Sequence, residues 1–236
     1  MSGKRVVLLA AVGLASIGAF GVPGDVRAEE PPQVQVPQPG VPEIMTLEGK
    51  YIRIAYNNEG YVILGYRLAN SLVGEEWMLL EVGMALREGV PSHTLTRDAV
   101  SIETPDGKTI PLATEDEYRK ANLEALVART KVQSDKINYF PPNAHQGCRI
   151  GFFADLDQRA VGWDQFELTN QSGCLGRLFF QVPGGIHYGQ HWLNVKFAQT
   201  LIRVPFRILT KEEDKLLQKH YKAIKKQVDE AFRKKN

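Results

Sequence analysis

The chain has 236 residues, of which 43% are hydrophobic and 24% charged, and its formal net charge is +2. That balance excludes a charge-dominated, disordered polymer and provides no global attraction to nucleic acid or to an anionic membrane. Its length suits one domain of ordinary size with a sizeable core.

The first residues, MSGKRVVLLAAVGLASIGAFGVPGDVRA, open on Lys4 and Arg5, run apolar from Val6 to Phe20 and then break at Gly and Pro. This is the pattern of a secretory signal over residues 1–28, with Val26 and Ala28 placed as the small residues before the cut. The 15-residue apolar stretch is short of the about 20 residues that a spanning helix needs, so an uncleaved anchor is the lesser reading. Cleavage after Ala28 removes three basic and one acidic residue from totals of 29 and 27, which leaves the exported chain neutral. Membrane contact then falls to an uncleaved signal or to a basic tip at the far end. Residues 29–45 are rich in Pro and Gln and read as an extended linker.

From residue 46 the hydrophobic period is mostly two. Ile52, Ile54 and Tyr56 alternate in YIRIAY, and after the turn NNEG the run YVILGYRLA places Val62, Leu64, Tyr66 and Leu68 on one face, which predicts a hairpin. WMLLEVGMAL repeats the scheme with Met78, Leu80, Val82, Met84 and Leu86 inward. Two short strands are expected around Pro105-Asp106-Gly107. Thr114 followed by Glu117 is a capping box that opens a helix over about 115–135, and Thr210 with Glu213 opens a second helix over 210–236. Between the helices, CRIGFF, VGWDQFEL, GRLFFQV, HWLNVKF and TLIRVPFRIL are each strand-length. Pro205 places the last of them at a sheet edge, because proline cannot donate to a ladder. The whole predicts a mainly β chain: an immunoglobulin-like β-sandwich over 46–209 with an inserted helix, followed by an amphipathic C-terminal helix.

The order of YVILGYRL, EEWMLLEVGMAL, TPDGKTIPL and GRLFFQVPGG leading to HWLNVKF resembles the exported, telokin-like immunoglobulin-fold domains of bacterial lipoproteins and envelope proteins. In that family a strand ends in a Phe-x-Val-Pro element before a turn and a last strand, and Phe180, Val182 and Pro183 match it. The resemblance covers about residues 48–208 without the inserted helix. It implies a fold and an exported location and carries over no catalytic residues. The helix insertion and the absence of a lipid-attachment cysteine depart from the pattern.

Several residue groups invite chemistry. Cys148 and Cys174, an even count in an exported chain, point to a disulfide. His187 and His191 have the spacing of a helical metal pair, but the surrounding glycines and Pro183 argue against a helix, and on one extended strand they would stand about 13 Å apart. His191 is in phase with Leu193, Val195 and Phe197 and is expected inward, so no metal and no cofactor are assigned. Asp155 and Asp157 begin like a calcium loop that Arg159 and a missing glycine spoil, and Asn170-Gln171-Ser172 fits a glycosylation triplet. Trp77, Trp163 and Trp192 fall on the phase opposite to their strands' apolar sets, so the helices must cover them or they form a ring surface for a ligand or partner. Tyr139 and Phe140, before two prolines, form either an exposed binding loop or a cover folded onto the domain. Leu217, Tyr221, Ile224, Val228 and Phe232 make a narrow stripe on the C-terminal helix, suited to docking.

The function expected from these features is an exported, non-catalytic binding module of the cell envelope that recognises a protein or a glycan, with no nucleic-acid partner. A structural or assembly subunit docking through the C-terminal helix is the alternative. An envelope hydrolase ranks third, since spacing alone picks out no acid and base pair.

Overall fold

The computed structural model describes residues 43–45, 50–154 and 162–233. The expected signal, the linker up to residue 42, and Asp155 and Asp157 lie outside the described residues.

The protein is mainly β, with a short helix between two strands, a helical insertion and a helix at the C-terminal end. Strands β1 (Glu43–Met45), β2 (Ile52–Tyr56), β3 (Gly60–Gly65), β4 (Trp77–Leu86), β8 (Gln146–Arg149) and β10 (Ser172–Gln181) form a six-stranded sheet in the order β1-β2-β3-β4-β10-β8. A four-stranded sheet runs β12-β11-β6-β7, from β6 (Val100–Glu103), β7 (Thr109–Pro111), β11 (Gly189–Lys196) and β12 (Leu201–Ile208). β5 (His93–Thr96) and β9 (Gln165–Leu168) make a separate two-stranded ladder. Among the described residues no sheet closes into a barrel.

The β2–β3 hairpin forms where its alternation placed it, in the register Ile54↔Ile63. Its turn is set by the Asn57 side chain, whose Oδ1 accepts the backbone N–H groups of Glu59 (2.8 Å) and Gly60 (3.1 Å), a local mimic of a backbone turn. The strand ends at Gly65, however, and Leu68 sits instead in a short helix, α1 (Arg67–Asn70), which buries Leu68 and Ala69. The last three residues of the expected linker also differ: Glu43–Met45 pair with β2 as an edge strand.

Inward residues of both large sheets meet in one core. Val62, Leu64, Leu80 and Val82 from the six-stranded sheet pack in the same cluster as Val100, Ile102, Leu193, Val195 and Val204 from the four-stranded one. Pro205 lies in β12, which is an edge strand as its missing N–H requires. A second, smaller cluster of Ile52, Ile54, Ile63 and Ile137 covers the opposite face of the six-stranded sheet. Farther along the same face Leu79 packs in the main cluster beside Phe179, so β4 is buried on both faces from Met78 to Leu80 rather than alternating.

The inserted helix is two helices, α2 (Glu115–Lys120) and α3 (Glu124–Gln133). They separate around Asn122, whose φ of 49° is left-handed, a conformation asparagine tolerates better than most residues. The capping box at the start of α2 forms, with Glu117 N–H on Thr114 Oγ1 (3.2 Å) and Thr114 N–H on Glu117 Oε2 (2.8 Å). The box at the start of α4 (Lys211–Arg233) forms likewise between Thr210 and Glu213. Among the described residues no helix is long and apolar enough to cross a membrane.

Candidate functional site

The cysteines meet. Cys148 of β8 and Cys174 of β10 stand opposite each other in a parallel ladder and are joined as a disulfide.

The tryptophans do not gather on one surface. Trp77 belongs to the six-stranded sheet and is half-buried against the main core, although its phase predicted an outward position. Trp192, in the four-stranded sheet, faces Glu103 and Pro205 across the ladders and lies under the Arg203 guanidinium, 4.8 Å from its ring. A cation held over the ring by the neighbouring strand thus covers it. Trp163 precedes β9 and remains 68% exposed. Tyr139 and Phe140 are half-buried over the smaller apolar cluster, so their loop folds back onto the domain. Phe140 seats its ring where two glycines leave room: a Cβ on Gly173 would come within 2.7 Å of it, and one on Gly83 within 3.1 Å.

His187 is exposed ahead of β11, whereas His191 is fully buried in it and stacks on Phe206 at 5.2 Å. Burial holds the His191 imidazole below the usual histidine range, partly opposed by its contact with the Gly189 carbonyl. Asn170 lies in a turn, where its carbonyl accepts from Asn143 Nδ2 at 2.6 Å. Of the C-terminal stripe, Leu217 is half-buried; the side chains of Tyr221, Ile224, Val228 and Phe232 lie outside the description. The first turn of α4 is tied down by Tyr51 Oη donating to Asp214 Oδ1 (2.8 Å), by the Lys50–Asp214 ion pair and by Arg207 on Glu213 (2.6 Å).

A cleft of about 660 Å³ opens on the outer face of the six-stranded sheet. Its base comes from β4 and β10, where Glu81 and Arg177 stand directly opposite each other in the ladder. One wall is the segment that leaves α3, with Ser134, Asp135, Lys136, Ile137 and Asn138; the other is the chain after β8, with Ile150, Phe153 and Ala154. The end of the cleft is closed by three rings in mutual contact. Tyr118 of α2 stands 5.0 Å from Phe153 and 4.7 Å from Phe179, and its hydroxyl donates to the Ala154 carbonyl (2.9 Å). Gly176 is required here by close approach, since a Cβ would meet Ile150 Cβ at 2.5 Å.

The polar groups of this cleft are unevenly satisfied. Arg67 of α1 donates twice to Asp135 Oδ1, at 2.9 and 2.6 Å. The Asp135 side chain is only 9% exposed, and its Oδ2 is buried without a hydrogen-bond partner. Asp135 N–H donates to Glu81 Oε2 at 3.3 Å. Burial raises the Glu81 carboxyl above the usual carboxylate range, and hydrogen bonds from Ser134 and Asp135 and the charge of Arg177 only partly offset it. Arg177 is half-buried and makes no hydrogen bond to any described residue. These groups retain hydrogen-bonding capacity that no described residue takes up: the Arg177 donors and the buried Asp135 Oδ2.

None of these residues stands out by motif. The available signal was a single charge in each of two apolar strands, Glu81 in WMLLEVGMAL and Arg177 in SGCLGRLFFQ, since an ionised group in such a run is seldom left without a purpose. Arg97 was missed in the same way: its guanidinium bonds the carbonyls of Ala113 (2.6 Å) and Phe152 and so pins the chain around the aromatic end of the cleft. Among the described residues no three His, Cys, Asp or Glu side chains assemble as metal ligands would. Comparison with protein families, with curated proteins and with solved structures found no match.

Proposed function

We propose that this protein is an exported, immunoglobulin-like sandwich module of the cell envelope that binds a protein or a glycan and performs no catalysis of its own. The observation that carries the reading is the cleft beside β4 and β10, in which Arg177 and Asp135 Oδ2 present hydrogen-bonding capacity that the fold leaves unused. A buried acceptor such as Asp135 Oδ2 costs stability while unpaired, and a ligand that donates to it recovers that cost. The disulfide between Cys148 and Cys174 and the signal-like residues 1–28 support an oxidising, exported location. The strand order and the Phe180-Val182-Pro183 element support the telokin-like assignment.

The test is expression of the full chain in a bacterial host with two membranes, followed by fractionation, intact mass and thiol labelling. A product that starts at Glu29, has blocked thiols, leaves the cytoplasm and is retained on isolated envelope material is the expected result. A chain that stays in the cytoplasm with free thiols and no envelope affinity sinks the reading.

A second reading, an assembly subunit, is favoured by the attachment of α4. Its 23 residues reach about 35 Å at 1.5 Å per residue, its described anchors lie in the first turn, and Leu216 just beyond them is 54% exposed. Replacing both Leu217 and Ile224 by Asp in the full chain should release an envelope protein partner under this reading and leave glycan retention unchanged under the first.

A further inference from the structure

We infer that the cleft between the 134–138 segment and strands β4 and β10 is a saccharide site, in which Arg177 and Asp135 Oδ2 meet neighbouring hydroxyls of one sugar ring. The inference rests on the binding-module reading and narrows it to one ligand class.

The residues that line the cleft include a donor and an acceptor that the fold leaves without a hydrogen-bond partner among the described residues. Arg177 offers guanidinium N–H groups with no partner among the described residues, and Asp135 Oδ2 is a buried acceptor without a donor. A hydroxyl is both donor and acceptor, so two adjacent hydroxyls satisfy both groups with no charge on the ligand. A cation would face Arg149, Arg177 and Lys136, and an anion would face the buried Asp135 carboxylate, already engaged by Arg67. A polyol needs no net charge to engage an N–H donor and a carboxylate oxygen together.

The remaining lining fits the same chemistry. Val127, Ile137, Ile150 and Leu175 give apolar surface for the C–H faces of a ring, with Leu175 37% exposed. Asn138 and Ser134 add neutral groups able to donate and accept. The volume lies inside the range of about 300–1,000 Å³ typical of small-molecule pockets, room for two or three sugar rings. The tryptophans are not needed: exposed Trp163 is not part of the lining.

The experiment is an NMR titration of the isotope-labelled full chain with four neutral trisaccharides (maltotriose, cellotriose, mannotriose and chitotriose) and with the peptide tetraalanine, each to about 5 mM, enough to see millimolar binding. The expected result is saturable shifts at residues 81, 135–138 and 175–177 with at least one sugar. Arg177→Gln should weaken that binding about tenfold or more with the spectrum otherwise preserved, the cost of a lost charged hydrogen-bonding partner. Asp135→Asn, which loosens the Arg67 contact as well, serves as the second variant, and Trp163→Ala should leave the affinity unchanged. Shifts that survive Arg177→Gln, or that vanish with Trp163→Ala, overturn the site while the binding-module reading stands. Tetraalanine in the cleft with no sugar overturns the ligand class and again leaves that reading intact. No shift with any probe overturns the proposal, and the export and retention assay then decides the broader reading by itself.

Discussion

Glu59 reaches from the turn of the β2–β3 hairpin to Thr200 in the turn between β11 and β12, accepting its backbone N–H at 2.9 Å and its hydroxyl at 2.6 Å. The same carboxylate accepts the Gln199 N–H at 3.1 Å, and Asn57 Nδ2 donates to Thr200 Oγ1 at 2.8 Å. A buried acidic residue, 7% exposed, therefore fastens the six-stranded sheet to the four-stranded one at the tips of their hairpins. Glu59→Gln keeps the shape but turns an amide NH₂ toward backbone donors. The expected loss is about 2 kcal/mol, or a fall in Tm of about 4–8 °C for a domain of this size. Thermal unfolding followed by circular dichroism checks it; an unchanged Tm would show that the two turns are held together by packing alone.

The Phe140 ring and Gly173 form a second coupled pair. Gly173→Ala should cost about 1–3 kcal/mol, because the new methyl and the ring cannot share the space. In a Phe140→Ala background the same substitution should cost under about 0.5 kcal/mol, a coupling that a urea-denaturation double-mutant cycle measures. Equal costs in both backgrounds would mean that backbone effects at Gly173, rather than the ring, set the penalty.

Asp214 governs the attachment of α4 and should make it acid-sensitive. Burial alone would raise its carboxyl, but the hydrogen bonds from Lys50 and Tyr51 outweigh it and hold the group below the usual aspartate range. A carboxyl depressed in the folded state contributes stability that is fully present above its unfolded value and is lost as pH falls through the folded one. Amide exchange over residues 214–220 should therefore quicken relative to the sheets below about pH 4. Asp214→Asn should quicken it about 2- to 5-fold at neutral pH, as expected of a partly exposed pair.

His191 acts in the opposite direction on the pH axis from an ordinary paired histidine. Its folded pKa is lowered by burial, so below the usual value of 6.5 the unfolded chain takes a proton that the folded one refuses, and stability falls with pH through that window. Replacing it with Phe keeps a ring against Phe206. The drop in urea midpoint between pH 7.5 and 5.5 should then be smaller in His191→Phe than in the parent; equal drops would assign the sensitivity to other groups.

The elements legible in the sequence are those whose cause is local. Alternation gave the β2–β3 hairpin, Thr114 with Glu117 and Thr210 with Glu213 marked two helix starts, Pro205 marked an edge, and the phase of His191 with Leu193 marked its burial. What periodicity hid depends on partners distant in the chain. The β5–β9 ladder, the parallel pairing of β8 with β10 and the cover of Ile137 and Phe140 over the outer face are each made by segments with no sequence cue to one another. The break at Asn122 was missed because good helix formers flank it on both sides. The cleft is the extreme case: its opposed charges come from two strands and its unsatisfied oxygen from a loop, so only the folded chain places them together.

The pairing of Cys148 with Cys174 has a further consequence for the alignment of β8. A parallel neighbour has no tight turn to fix its alignment, and a slip of one residue would put Cys148 beside Gly173 or Leu175 with its side chain on the wrong face. Two sulfurs so displaced cannot bond. The covalent link therefore holds β8 in this one alignment, since only the observed register brings the two sulfurs within bonding reach.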